Sequence, residues 1–420
     1  MRKEDACGSD CGCESPLKTG QHRNINNAQY TKGAKNPEKL HATASSEEAV
    51  EELEYCNYNG NTKWSAERRK NGYQSPHGVK LWGLGNEMDG IHQIEHKTPI
   101  EYARKAVETA RMMKIMDKSV ELVLCGSCSP EIDLETYPDW DRIVLEEAYE
   151  DIDYISLHRY YSYNPDTGMY AMNTDTLENI AHLPIDIGDY IDTIMAASRF
   201  VQGKKRCRKP VYISFDEWGI LSSKKFDREK YPQWTEICED EGSSTALDAV
   251  LHGAFMITML NKCDVVKVAC ESIVIGSMIM ADPEGKCFRQ TTFYPFRDVA
   301  QLGKGIVLKQ FSEGPMEDAG KYGELPAIQS AVIYNDEKKE IVVFAVNFSK
   351  KKEIPFEIFM QEFGEIECIE YRQLYEKEAF AGNTFRNPFR VVPHLLEVDK
   401  EQKCFLLPPL SWNVIRFELK

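Results

Sequence analysis

The 420-residue chain contains no uninterrupted apolar run long enough to cross a bilayer, which would take about 20 residues as a helix. Its first residues, "MRKEDACGSDCGCESPLK", begin basic but lack the apolar segment that a secretory signal needs. Positive charge is also scarce: 51 Lys and Arg stand against 67 Asp and Glu, for a net charge of −16. General nucleic-acid binders cluster cations against phosphates, so this balance argues against nucleic acid and leaves neutral sugars open. Paired metal-binding motifs are missing too. Cys7, Cys11 and Cys13 crowd into "CGSDCGC", but no second pair follows at finger-like spacing, which favours a loose cysteine-bearing tail over a zinc site. The 13 cysteines are scattered and odd in number, so without an export signal they read as reduced thiols of a cytoplasmic protein. Apolar periodicity is absent from residues 1 to 44, and this polar stretch reads as a disordered leader.

From "SSEEAVEELEYCN" onward the chain becomes regular. Ser46 is placed to cap a helix whose acidic first turn holds Glu47 and Glu48. Strands are expected at 79–85, 120–127, 152–161, 209–219 and 264–270. Helices are expected at 98–117, 139–151, 187–204 and 244–262, the first with Thr98 as cap and Pro99 in its opening turn. Near-continuous apolar strands separated by amphipathic helices imply a parallel sheet covered by helices, either a β/α barrel or a doubly wound sheet. After about residue 305 short alternating strands take over, as in "AIQSAVIYNDEKKEIVVFAVNF" and "KCFLLPPLSWNVIRFEL". This predicts an α/β region over 45–305 and a C-terminal β-sandwich over 306–420.

The strands finish in polar residues. "VKLWGLG" runs into Asn86 and Glu87, "DYISLH" ends at His158 and Tyr160, and "VYISF" ends at Asp216, Glu217 and Trp218. Any one of these has an ordinary explanation: Asn and Asp begin turns, and His158 is also compatible with a satisfied core histidine. Gathered at the carboxyl ends of parallel strands, they mark the face where β/α barrels carry active sites. Glu87 and Glu217 would then supply two carboxylates, the minimum equipment for glycoside hydrolysis.

The motifs "EYCN", "GNEMDG", "DYISLHRYY", "SFDEW", "RQTTFYPF", "NPFRVVPH" and "LPPLSWNVIRFELK" together resemble the glycoside hydrolase family 51 α-L-arabinofuranosidases, in order, from about residue 46 to 420. The resemblance implies a TIM-type (β/α)8 barrel followed by a β-sandwich. It implies cofactor-free, metal-free removal of terminal α-L-arabinofuranosyl residues from arabinan or arabinoxylan oligosaccharides, with retention of configuration. Glu87 matches the acid/base and Glu217 the nucleophile; Asn86, His158, Tyr160 and Trp218 match sugar-contacting positions around them. Homo-oligomerisation is a further expectation carried by the resemblance. Asn-Glu on one strand and Glu on a later one also occur in other barrel glycosidases such as endoglucanases, but the downstream motifs favour an arabinofuranosidase.

The chain departs from the family pattern in three places. Members carry a much longer segment before the "EYCN" region, which supplies the first barrel strands. The polar leader offers no apolar run to replace them, so the expectation is a partial barrel, open where those strands belong, and a truncated enzyme with weak or no activity. Gly219, Ile220 and Leu221 follow Trp218 where the family commonly has Asn and a second Trp. "DVVKVACESIVIGSMIM" is shortened where the family places a glutamine, near Glu271 and Ser272.

Overall fold

The computed structural model describes residues 23–24, 45–91, 93, 96–130, 137–164, 169–171, 175–222, 241–271, 274–282 and 284–420. Cys7, Cys11, Cys13 and Ser272 lie outside these residues, as does most of the expected leader. The N-terminal region runs β1 (Arg23–Asn24), α1 (Ser46–Asn57), α2 (Lys63–Lys70), β2 (Leu81–Gly83), α3 (Pro99–Met116), β3 (Glu121–Leu124) and α4 (Asp139–Ala148). It continues with β4 (Tyr154–Asn164), α5 (Leu183–Lys205), β5 (Tyr212–Ser222), α6 (Ala246–Asn261), β6 (Val266–Ala269) and α7 (Phe293–Leu302).

Helix starts follow side-chain chemistry closely. Thr98 caps α3 and Glu101 reaches back to the Thr98 amide, closing a reciprocal pair that satisfies two end-of-helix donors. The face it buries is Tyr102, Ala103, Ala106, Thr109, Ala110 and Met113, the expected stripe. At α1 the cap is Ser45 rather than the expected Ser46, with Glu48 Oε2 accepting from the Ser45 amide at 2.7 Å. Two adjacent serines are interchangeable by composition. Tertiary packing separates them, because the Ser46 hydroxyl is engaged 2.7 Å from Thr109 Oγ1 of α3.

The parallel strands pair in chain order, β1-β2-β3-β4-β5-β6. A doubly wound sheet reverses its order at a switch point, whereas this one never does, so the winding is that of a β/α barrel. One face carries a small buried cluster of Leu81, Val123, Tyr154 and Val268. The other packs on the helices through Trp82, Leu122, Ile155, Phe215 and Val266. Among the described residues β1 and β6 each pair on one side only, leaving a curled part-barrel. Arg23 and Asn24 fall inside the stretch expected to stay apart from the sheet, yet they align with Trp82 and Gly83 at its edge. Main-chain groups alone can extend a parallel ladder, so apolar content was not required for this contact.

The C-terminal region is a six-stranded antiparallel sheet of β7 (Ile306–Leu308), β8 (Ile328–Asn335), β9 (Glu340–Asn347), β10 (Ile366–Leu374), β11 (His394–Leu396) and β12 (Ser411–Leu419). Its spatial order is β7-β8-β9-β12-β10-β11. Both faces are covered. Ile341, Val343, Ala345, Ile415 and Phe417 pack under the ribbon Ile354–Glu357 with Cys404–Leu407. Val342, Phe344, Val346, Trp412 and Val414 share the core of the barrel region. Gly253 of α6 makes this second contact possible, since a Cβ there would stand 2.4 Å from Trp412 Cε3.

Candidate active site

Leu84 extends the β2 ladder by donating its amide to Val123 at 2.9 Å, and the chain then turns through Asn86 and Glu87. Glu87 adopts φ +50°, the left-handed region that a side chain with Cβ ordinarily avoids. Such a conformation persists only where surrounding contacts impose it, and it is found most often at functional positions. Here the Met88 amide donates to Cys125 Sγ at 3.3 Å, and both Asp89 oxygens accept from the Cys128 amide at 3.1–3.2 Å. Burial raises the Asp89 carboxyl above the ordinary range, against the lowering effect of the Cys128 amide.

The second carboxylate arrives through an irregularity between β4 and β5. Leu157 faces Phe215, but His158 faces Glu217, so Asp216 is an extra residue in the ladder. Consecutive side chains of a regular strand point to opposite faces. The bulge re-aims them, as bulges beside active sites do, and both Asp216 and Glu217 reach the same imidazole. His158 Nε2 lies 3.2 Å from Asp216 Oδ1, while its Nδ1 lies 3.0 Å from Glu87 Oε1 and 3.8 Å from Glu217 Oε2. Tyr160 donates its hydroxyl to Glu217 Oε2 at 3.3 Å, and Gln93 Nε2 donates to Glu87 Oε2 at 3.0 Å.

Burial alone would lower the His158 pKa. The hydrogen bonds to Asp216 and Glu87, with the charges of Asp216 and Glu217, outweigh it and hold the imidazole protonated well above its usual range. Burial raises the Glu217 pKa; the His158 charge opposes that shift, while the charges of Glu87 and Asp216 reinforce it. The result is one imidazolium among three carboxyl groups, at a point where Glu87 and Glu217 remain partly open to solvent, at 16% and 28% side-chain exposure.

One oxygen from each glutamate and one His158 nitrogen all lie within 4.8 Å of one another. That spacing would also suit a divalent ion. Both His158 nitrogens face carboxylates.

The arrangement therefore brings Glu87, His158, Tyr160 and Glu217 together, with Asn86 buried beside Glu87. Trp218 is different: it is 1% exposed, and its ring lies against His252 behind the site instead of on its open side. It follows Glu217 in the chain, and its buried ring packs on α6. Asp216 was named from the sequence only as a strand-end residue without a role, and Gln93 was not singled out. The doubled acid of "SFDEW" was the available signal for Asp216; Gln93 sits in a turn with nothing to distinguish it.

Family models described as the α-L-arabinofuranosidase 1 domain and the α-L-arabinofuranosidase C-terminal domain match residues 19–206 and 216–411. An intracellular exo-α-(1→5)-L-arabinofuranosidase from Acetivibrio thermocellus is 36% identical over 376 residues, covering 87% of this chain and 72% of that protein. The chain belongs to the family 51 α-L-arabinofuranosidases. Within this family an exo-α-(1→6)-L-arabinofuranosidase from Bifidobacterium longum is 35% identical over 390 residues, covering 89% of this chain and 72% of the relative. A solved family 51 α-L-arabinofuranosidase from Bifidobacterium longum superposes with a TM-score of 0.79 at 30% identity, covering 90% of this chain and 74% of that one. The arabinofuranosidase match begins at residue 19, within the stretch that had read as a leader.

Proposed function

We propose that the chain is a retaining exo-α-L-arabinofuranosidase, with Glu217 as nucleophile and Glu87 as acid/base. The observation that carries this reading is the approach of the two glutamates at the carboxyl end of the parallel sheet, with oxygens within 4.8 Å. Retaining glycosidases hold their two carboxyl groups about 5–5.5 Å apart, whereas inverting enzymes leave about 6.5–9.5 Å for a water. In the first step Glu217 attacks the anomeric carbon while Glu87 gives its proton to the departing glycosidic oxygen. In the second, Glu87 takes a proton from water, which displaces Glu217 from the sugar ester.

The rest of the constellation serves those two steps. The His158 imidazolium offsets the negative charge of the surrounding acids and holds the Glu87 carboxyl group in place. Tyr160 binds the Glu217 oxygen nearest His158 and so limits its rotation. Asn86 is positioned next to the acid/base to hold a sugar hydroxyl, and such a bond helps catalysis to the extent that it strengthens in the transition state.

The substrates are terminal α-L-arabinofuranosyl groups on arabinan- or arabinoxylan-type oligosaccharides. Relatives named for (1→5) and for (1→6) linkages resemble the chain equally, at 36% and 35% identity, so linkage is to be read from product analysis. A cytoplasmic location accords with the relatives named intracellular; among the described residues no helix is long and apolar enough to cross a membrane. The test is release of 4-nitrophenol from 4-nitrophenyl α-L-arabinofuranoside, with NMR of the first-formed sugar. Initial release of α-arabinofuranose supports retention; initial β-anomer, or no release by the purified chain, contradicts the assignment.

A further inference from the structure

Behind β5, on the helix side of the sheet, three buried polar side chains meet. The Trp218 ring, one residue beyond Glu217, stands 4.5 Å from the imidazole of His252 on α6, at an interplanar angle of 33°. His252 Nε2 lies 3.4 Å from Oε2 of Glu271, with side-chain exposures of 2% and 5%. Glu271 follows the end of β6, at the same rim of the sheet as Glu217. Its other oxygen accepts from Ser277 Oγ at 3.0 Å, and the Ser277 carbonyl in turn accepts from Gln290 Nε2 and Thr292 Oγ1, each at 3.0 Å.

Burying an acid and an imidazole in an otherwise apolar helix–sheet interface is costly unless each satisfies the other. The displacement chemistry at Glu87 and Glu217 uses neither. Burial pushes His252 down to about 3 and Glu271 up to about 8. Between those limits the pair is uncharged; His252 Nε2 and Glu271 Oε2 stand 3.4 Å apart without completing a hydrogen bond to each other, so the contact is one of close packing. Packed against the Trp218 ring at 4.5 Å, this close neutral pair limits where that ring can sit.

We infer that His252 and Glu271 form a positioning pair which, through their 3.4 Å contact and the ring packing on Trp218, sets the end of β5 and thereby the aim of Glu217. This rests on Glu217 being the nucleophile and adds two residues that touch no substrate. It also gives a reason for Glu271 at the point where the chain departs from the family pattern. The barrel rim there is braced from the helix side, with α6, β6 and the turn at Ser277 all tied to one tryptophan.

The experiment compares the native chain with Glu271→Gln and with the double variant His252→Leu plus Glu271→Leu. The double change replaces both polar groups by apolar ones, so it tests positioning without leaving an orphaned charge. Expected is a fall in kcat of about tenfold or more for the double variant, since small misplacements of a reacting group are that costly. Its KM for the nitrophenyl arabinofuranoside should stay within about twofold and its thermal midpoint should not fall, while Glu271→Gln keeps kcat within about threefold. Native kcat in the double variant, or a loss in Glu271→Gln as large as in the double variant, would overturn the proposal. Crystal structures read it without turnover: a Glu217 carboxylate displaced by roughly 1 Å in the double variant supports it, and an unmoved Glu217 refutes it. Were the native chain to release no nitrophenol, the arabinofuranosidase reading would fail while the crystallographic comparison still decided the positioning role.

Discussion

Two buried charge clusters in this protein are built to opposite rules. At the joint between the barrel region and the C-terminal sheet, Asp298 is fully buried and surrounded by donors: Arg297, Arg372 and the Trp412 indole N–H, the last at 3.1 Å. One acid meets two cations and a neutral donor, so no proton need move. At the strand ends, His158 is one cation among Glu87, Asp216 and Glu217. The first cluster is satisfied and closed; the second holds surplus acid and opens to solvent through its two glutamates. Polar groups are therefore buried here for two purposes, and the balance of donors to acids distinguishes them. The joint is saturated with donors, while the strand-end cluster is left short of them, as the proposed proton exchange at Glu87 requires.

The sharpest way to break this contrast is to remove the proposed nucleophile. Glu217→Ala should lower kcat by on the order of 10⁴-fold or more, because no sugar ester can form, with folding intact by circular dichroism. Glu87→Ala should lower kcat/KM by about 10²- to 10⁴-fold on natural arabino-oligosaccharides and much less on the nitrophenyl substrate, whose leaving group hardly needs protonation. Equal losses on both substrates would remove Glu87 from the acid role. Asp216→Asn should cost about 10- to 100-fold in kcat, an effect of the size seen when groups orienting a reacting residue are removed. In the same variant NMR should show His158 titrating at a lower pH than in the native chain, because the hydrogen bond and charge of Asp216 help to raise it.

The structural cluster should answer differently. Asp298→Ala leaves Arg297 and the buried Trp412 indole N–H without their acceptor, while Arg372 keeps Glu370, and should destabilise the fold by about 1–3 kcal/mol in denaturant titrations. Turnover per folded molecule should be unchanged. A kinetic defect at constant folded fraction would show that the joint also shapes the site.

A further effect concerns pH. The Glu271 carboxyl is raised from 4.5 to about 8 by burial. Between these values the unfolded chain releases a proton that the folded chain retains, so the Glu271 contribution to folding stability falls as pH rises through that window and levels above it, while His252, lowered to about 3, contributes the opposite slope up to its ordinary 6.5. The stability advantage of Glu271→Gln over the native chain should accordingly grow from about pH 4.5 to about pH 8. A difference constant across that range would contradict a protonated Glu271.

The sequence carried the outline because the outline depends on periodicity. Buried strands and amphipathic helices alternated visibly, and their polar terminations pointed to Glu87, His158 and Glu217. A resemblance in long ordered motifs then supplied the family. The missing details depend on tertiary contacts. A bulge that turns Asp216 toward His158 leaves no mark in composition, since Asp-Glu reads the same in a regular strand. Trp218 lies beside Glu217 in the chain but behind the sheet in space, because neighbouring strand residues alternate faces. Gln93 reaches Glu87 across a turn whose path no local pattern dictates. The edge contribution of Arg23 and Asn24 comes from backbone pairing, to which a reading based on apolar runs is blind.

The central claim is that Glu217 carries the sugar between the two displacements while Glu87 moves the proton. It is tested most directly by mass spectrometry of Glu87→Ala incubated with 4-nitrophenyl α-L-arabinofuranoside and quenched in acid. Without its base the second step slows more than the first on this activated substrate, so the sugar ester should accumulate. The expected result is one pentosyl group on the proteolytic peptide containing Glu217, absent from the same peptide in Glu87→Ala plus Glu217→Gln. A pentosyl adduct on another residue, or turnover with inverted product and no adduct, would contradict it.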